Sequence, residues 1–220
     1  MDKARWDKLA AAGGIVGVVL FIVGIAIMGS PPAVDEDAQT VAEFFSDNRD
    51  QVLWGVFIQG LGVLALLWFV AALATTMREA GEARLAAAAF GSFLLAFAVG
   101  GLAAMARATL AYSVADEGPD LVLPLYHLTV LTEIFTGLLA AGLFAAVCGA
   151  TLRTGLFPRW WGWLSGLAAL WAIVSSTAWG RDGAWSPTGE GTFVGVVVFF
   201  VWMVVTSILL VRRSGATASA

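Results

Sequence analysis

Glu133 is the only carboxylate in the long apolar stretches of this 220-residue sequence. A charged side chain in such a stretch is costly, and it marks a candidate functional site. If the stretch is a helix that turns by about 100° per residue, four polar residues share the face of Glu133. They are Tyr126, Thr129, Thr132 and Thr136. His127 lies on the same stretch, about 120° from Glu133.

Arg107 is the expected partner of Glu133. It lies about five residues, or roughly 7–8 Å, below Tyr112 at the outer end of one apolar stretch, whereas Glu133 lies about 15 Å below Leu123 in the next. Because the 113–122 connection is short, the two stretches should be antiparallel neighbours, and two long side chains can bridge the remaining offset. We predict an Arg107–Glu133 pair, direct or through water, with His127 near the mouth of the site.

Two interpretations of these residues compete. In the structural one, the pair and the threonines hold helices together, with each interhelical hydrogen bond adding about 0.6 kcal/mol. In the functional one, Glu133 binds a proton, a cation or another ligand in an outward-facing cavity. The candidate ligand- or ion-binding residues are Glu133, Arg107, His127, Tyr126, Thr129 and Thr136.

The composition excludes several classes of protein. Apolar residues make up 60% of the chain and charged residues 13%, against about 45–50% and about 25% in soluble domains. The net charge of −4 excludes a basic face for nucleic acid. With one cysteine, Cys148, and one histidine, we expect no intrachain disulfide, no cysteine-based zinc site and no multi-histidine metal site. No metal or cofactor is predicted.

Six apolar stretches are long enough to cross a membrane as helices. They are Ala10–Met28, Val52–Met77, Leu85–Ala106, Leu123–Leu152, Trp160–Ala178 and Phe193–Val211. The first could instead belong to a signal peptide, but its apolar core exceeds the usual length of about 7–15 residues, so we expect it to be retained. The predicted fold is an all-α, polytopic membrane bundle. Residues 1–213 form its single six-helix domain, and residues 214–220 form a flexible cytoplasmic tail.

Basic residues divide unequally between the two ends of these spans. Three of the twelve, Arg49, Arg107 and Arg181, fall in one set of connections. The other nine fall in the termini and the two remaining turns: Lys3, Arg5, Lys8, Arg78, Arg84, Arg153, Arg159, Arg212 and Arg213. The positive-inside rule therefore places both termini in the cytoplasm, which agrees with an even number of spans.

The 29–51 segment predicts a short amphipathic helix on the extracytoplasmic side, between spans one and two. Ala38, Val41, Ala42 and Phe45 recur at helical spacing on one face. A structural cap over the bundle and a lid over a substrate are the alternatives for this segment.

Tryptophans and small residues predict where the helices meet lipid and one another. Tryptophans favour the membrane–water boundary. We therefore place Trp6, Trp160, Trp161 and Trp163 at the inner boundary and Trp54, Trp179 and Trp185 at the outer one. Trp171 and Trp202 are predicted to pack between helices. Small residues four apart allow close helix approach, and such pairs include Gly13 with Gly17 and Ala87 with Gly91.

Three stretches resemble a group of actinobacterial six-span membrane proteins of unassigned function. They are residues 38–53, the Leu64–Leu73 run and the Gly155–Leu164 segment, which reads GLFPRWWGWL. The resemblance implies the six-helix layout and a bacterial inner membrane, and it assigns no catalytic or binding residue.

The predicted function is that of an integral membrane protein without a recognisable catalytic motif. It would bind or transport a small molecule, a lipid, a proton or a cation through the polar face around Glu133. The alternative is a structural or accessory subunit of a larger membrane complex, and an intramembrane enzyme is the third interpretation. Membrane lipids, a membrane-protein partner or a second copy of the chain are the partners considered. The acidic residues Asp116, Glu117 and Asp120 could form a divalent-ion patch, although a solvated loop is the simpler interpretation.

Overall fold

Helices form nearly the whole of the protein. The structure, a computed structural model, describes residues 3–115 and 120–216, and these contain no strand. Their elements are α1 (Lys3–Met28), α2 (Ala38–Asp47), α3 (Arg49–Glu79), α4 (Ala83–Thr109), a π-helical turn π1 (Leu110–Val114), α5 (Val122–Thr154), α6 (Arg159–Ser175) and α7 (Glu190–Ala216). The last four residues of the predicted tail lie outside the described part, and α7 continues as far as Ala216.

Five segments of the described chain are long and apolar enough to cross a membrane. They are Lys8–Met28, Arg49–Glu79, Ala83–Val114, Val122–Thr154 and Glu190–Arg213. Such lengths suit a bilayer, where a helix satisfies all of its own backbone hydrogen bonds. The protein is therefore an all-helical, multi-pass membrane bundle. The remaining predicted span corresponds to α6, which is shorter at 17 residues and ends where Thr177 and Ala178 form tight turns.

The long helices and α6 form a closed ring. Helices α1, α3, α4, α5, α6 and α7 pack in this order, each against the next, and α7 packs against α1. Helix α2 is not a member of the ring. The pairing is antiparallel where contacts fix its direction. On α1 and α3, for example, Gly13 lies against Ala65 whereas Gly24 lies against Gln59 and Gly55. Consecutive members of the ring therefore alternate in direction.

The interior of this ring is filled in two separate regions. One is a large core at the end where α3 terminates and α4 begins, and it includes Leu73, Ala89, Val147 and Met203. The other is a smaller core at the opposite end, where Val41 and Phe45 of α2 pack with residues of α3, π1 and α5. A phenylalanine cluster at the inner edge of the large core joins four helices. Its members are Phe21, Phe93, Phe97, Phe144, Phe199 and Phe200.

Helices α1 and α3 approach closely through glycine. A Cβ on Gly13 would lie 2.5 Å from the carbonyl oxygen of Ala65, and one on Gly62 would lie 3.0 Å from the carbonyl oxygen of Gly17. The predicted role of Gly13 and Gly17 is therefore confirmed. The prediction for Ala87 and Gly91 was wrong, since Ala87 is exposed and no atom lies within 4 Å of a Cβ on Gly91.

Two tryptophans connect α6 to α7 inside the large core. The Trp161 indole donates to the hydroxyl of Thr206 at 3.1 Å, and the Trp202 indole donates to the hydroxyl of Ser165 at 2.9 Å. The packing predicted for Trp202 is confirmed. Trp161 lies near the start of α6, but it is buried and its N–H finds a partner on α7, so it packs between helices. Trp160 and Trp163 on the same helix are exposed.

The predicted amphipathic helix is present as α2. Asp37 caps it by accepting a hydrogen bond from the backbone N–H of Thr40 at 2.8 Å, and that bond lowers the pKa of the Asp37 carboxyl. Val41 and Phe45 are buried on its apolar face, and Phe45 packs against the ring of Tyr126. Helix α2 therefore covers the smaller core.

Candidate functional site

Arg107 and Glu133 form an ion pair between α4 and α5, through Nη2 of the arginine and Oε1 of the glutamate. The predicted pair is therefore present. The two side chains meet directly, and long side chains can bridge the offset of about 7–8 Å that residue counting gives. The Arg107 side chain is 17% exposed and the Glu133 side chain is 44% exposed. The carboxylate is thus the more accessible member of the pair.

Glu133 faces the inside of the ring. The lipid-facing side of α5 near Glu133 carries four exposed apolar residues: Leu128, Leu131, Phe135 and Leu138. Their mean direction lies about 180° from that of Glu133 around the helix. Thr129 and Val130, nearly one turn before Glu133, are buried. From the exposure of Glu133 on this inward face we infer an unfilled space within the ring, which we call the central opening.

Arg107 also faces inward. The exposed residues Leu94, Leu102 and Met105 define the outer side of α4, and Arg107 points about 180° away from their mean direction. Gly100, two turns before Arg107, lies on the same inward face. A Cβ on Gly100 would lie 3.5 Å from Oγ1 of Thr136, which is an ordinary contact. Gly100 therefore borders the central opening without filling it.

The central opening lies between the two cores. Phe97, half-buried and less than one turn before Gly100, belongs to the phenylalanine cluster and supplies an apolar floor. At the other end, Tyr126 lies seven residues before Glu133, which is about 10 Å along α5, and it belongs to the smaller core. The opening thus has one charged pair and the Thr136 hydroxyl in otherwise apolar surroundings, as is common for small-molecule sites.

The helix that carries Arg107 changes geometry directly after it. Residues Leu110–Val114 form the π-helical turn, and Leu110, Ala111 and Val114 are buried in the smaller core. Such turns are rare, and they occur frequently at functional sites. No sequence pattern pointed to this turn or to the role of Gly100, because neither depends on hydrophobic periodicity.

Tyr126 and His127 contact the segment after α1 rather than Glu133. The Tyr126 hydroxyl donates to the carbonyl oxygen of Pro32, and His127 Nε2 lies 3.3 Å from the carbonyl oxygen of Val34. Both residues therefore attach the start of α5 to the segment between α1 and α2.

The threonines on α5 do not donate hydrogen bonds to other helices. Thr129 donates to the carbonyl oxygen of Tyr126 at 2.7 Å, Thr132 to that of Leu128, and Thr136 to that of Thr132 at 2.9 Å. The interpretation in which they hold helices together by hydrogen bonds was therefore wrong. Thr129 is fully buried, whereas Thr136 is half-buried beside Gly100. Of the two, Thr136 is the one that borders the central opening.

The alternative divalent-ion patch cannot be placed as a unit, since Asp116 and Glu117 lie outside the described residues. Among residues 3–115 and 120–216, no group of three or more histidine, cysteine, aspartate or glutamate side chains could hold a metal ion. The chemistry available at the described site is that of one carboxylate, one guanidinium and hydroxyl oxygens.

Comparison with known protein families places the chain in one of them. A family model described as "Domain of unknown function (DUF4386)" matches residues 9–207. The chain belongs to the DUF4386 family. No curated protein matches the chain, and no solved structure does. The matched residues include Arg107, Glu133 and the residues described around them. Like the group that the sequence resembles, the family has no assigned function, and the actinobacterial origin stays a prediction.

Proposed function

We propose that this DUF4386 protein is a six-span protein of the bacterial plasma membrane that binds a small molecule in the central opening. The observation that carries the proposal is the 44% exposure of Glu133 on the inward face of α5. Intramembrane carboxylates are costly and usually mark a ligand or ion site. A carboxylate that only joined two helices would be expected in a filled interface.

The direction of the helices supports a sixth crossing by α6. Contacts of Gly162 with Thr151 and of Ser176 with Ile134 make α6 antiparallel to α5. The Trp161–Thr206 hydrogen bond near one end of α6, and the approach of Gly195 to Trp171 near the other, make it antiparallel to α7. Helices α5 and α7 therefore run in the same direction, and the chain must return between them. At 17 residues, α6 reaches the lower limit of about 17–25 residues for a span.

The distribution of basic residues supports an orientation. The ring places six arginines at the end where the large core lies: Arg78, Arg84, Arg153, Arg159, Arg212 and Arg213. Arg49 and Arg181 lie at the opposite end. By the positive-inside rule the first end faces the cytoplasm, together with both termini. This orientation puts α2 outside the cell and the Arg107–Glu133 pair in the outer half of the membrane.

Cysteine labelling tests this topology in a Cys148→Ser background. We expect a membrane-impermeant maleimide to label Arg181→Cys and Glu36→Cys in intact cells. Arg159→Cys and Arg84→Cys should be labelled only after permeabilisation. Labelling of Arg181→Cys and Arg159→Cys from the same side would show that α6 does not cross the membrane.

Binding in the central opening is tested by filling it. Gly100→Leu places a side chain in the opening, whereas Gly101→Leu is a matched control because no atom lies within 4 Å of its Cβ. We expect native mass spectrometry of protein purified from its own membranes to show a bound small molecule in the wild type and in Gly101→Leu. That additional mass should be absent from Gly100→Leu.

A wild-type protein without bound mass, or a mass retained by Gly100→Leu, would contradict the binding proposal. In that case the accessory-subunit alternative would be favoured, and co-purification of a partner protein or a second copy of the chain would support it.

A further inference from the structure

The chemistry around the central opening indicates the class of molecule that it accepts. We infer that the ligand is an amphiphile with an apolar body and a head group that donates hydrogen bonds, such as a hydroxyl or an ammonium group. A carboxylate or phosphate head would not fit. This inference rests on the proposed binding function and adds the polarity of the ligand to it.

The accessible polar atoms at the opening are mainly acceptors. Glu133 pairs with Arg107 through Oε1, and its side chain remains 44% exposed. An ionised carboxylate only accepts hydrogen bonds. The Thr136 hydroxyl has already donated its hydrogen to the carbonyl oxygen of Thr132, so towards the opening its oxygen can only accept. A donor on the ligand would therefore find an acceptor at the opening.

The cationic partner is the less accessible one. The Arg107 side chain is 17% exposed, against 44% for Glu133. An anionic head that approaches Arg107 would meet the Glu133 carboxylate first, and like charges at close range repel in a site of low dielectric constant. A neutral or cationic donor meets no such barrier. The geometry therefore selects against anions although an arginine is present.

The walls require an apolar body. Phe97 is half-buried and packs with Phe21 and Phe199, with ring centroids about 6 Å apart, directly below Gly100 and the ion pair. A head group that bonds to Glu133 would place its attached chain against these rings or between the neighbouring apolar helices. A fully polar metabolite would leave its other polar groups without partners there, which is costly.

Three probes with the same ten-carbon chain test the inference. They are 1-decylamine and 1-decanol, which are donors, and decanoate, which is not. Each is added at pH 7 to the protein in phosphatidylcholine nanodiscs, and the thermal unfolding midpoint is measured by tryptophan fluorescence. The same titration with Gly100→Leu and Gly101→Leu separates binding in the opening from general effects of the probe on the bilayer.

We expect at least one donor probe to raise the midpoint by about 2–4 °C in the wild type and in Gly101→Leu, but not in Gly100→Leu. A shift with the amine alone identifies a cationic head, and a shift with the alcohol alone identifies a neutral one. Decanoate should give no such Gly100-dependent shift. If decanoate gives the shift, the inference is wrong although the binding proposal stands. If no probe gives it, the inference is also wrong, and the bound mass in native spectra decides the binding proposal separately.

Discussion

Replacement of Glu133 by Gln should lower the free energy of unfolding by about 2–3 kcal/mol, because it leaves the Arg107 charge without a counter-ion inside the membrane. The double variant Arg107→Gln/Glu133→Gln removes both charges and should recover more than half of that loss. The measurement is equilibrium unfolding in nanodiscs, analysed as a double-mutant cycle, in which the two single variants are compared with the double one.

The protein contains a matched control for this experiment. Glu82 and Arg153 connect the start of α4 to α5 at the opposite end of the same helix pair, with Nε and Oε1 2.7 Å apart. The Glu82 side chain is 13% exposed and the Arg153 side chain is 71% exposed. The charge that Glu82→Gln leaves unpaired is therefore solvated by water, and the loss should be that of an exposed pair, at most about 1 kcal/mol. Glu82→Gln should therefore have a small effect. If it destabilises the protein as much as Glu133→Gln does, the Arg107–Glu133 pair does not lie inside the membrane.

Gly13→Ala should destabilise the bundle by about 1–3 kcal/mol, which is the usual cost of overpacking. The new Cβ would lie 2.5 Å from the carbonyl oxygen of Ala65. This oxygen belongs to the backbone, so it cannot rotate away, and α1 must move from α3. The sign of the stability change is informative, because alanine normally stabilises a helix relative to glycine by about 1 kcal/mol. A loss of stability therefore reports the close contact with α3. Unfolding in nanodiscs again provides the measurement.

Gly60→Ala is the control for the glycine prediction. Gly60 is on α3, the partner of α1, and no atom lies within 4 Å of its Cβ. This substitution should leave stability unchanged or raise it slightly. A Gly13→Ala protein as stable as Gly60→Ala would show that α1 and α3 do not approach as closely as the structure has them.

Much of the fold could be predicted from hydrophobic length and periodicity. Long apolar runs become helices in a bilayer because no other local structure satisfies the backbone there. The spans that correspond to α1, α3, α4, α5 and α7 were accordingly found. The spacing of Val41 and Phe45 likewise revealed the buried face of α2. These features depend on neighbours within one helix, and the sequence contains that information directly.

Part of the candidate site was also accessible in this way. The height of Arg107 and of Glu133 in their helices follows from residue counting, and the short connection makes the helices neighbours, so the pair itself could be predicted. The partners of other polar residues could not. The threonines on α5 donate to their own helix, and Tyr126 and His127 contact the segment after α1. A helical face indicates direction, but it does not identify the atom that lies opposite.

The sequence by itself determined that the protein lies in a membrane and where most of its helices run, because these depend on composition and on the length of apolar stretches. It also determined how deep the charged residues lie in their helices, because the rise per residue is fixed. Only the tertiary structure decided that Trp161 is buried, that no atom lies within 4 Å of a Cβ on Gly91 and that Glu133 is exposed on the inward face of α5. Burial of a helical face depends on which other helix covers it, and in this ring the cover comes from residues distant in the chain.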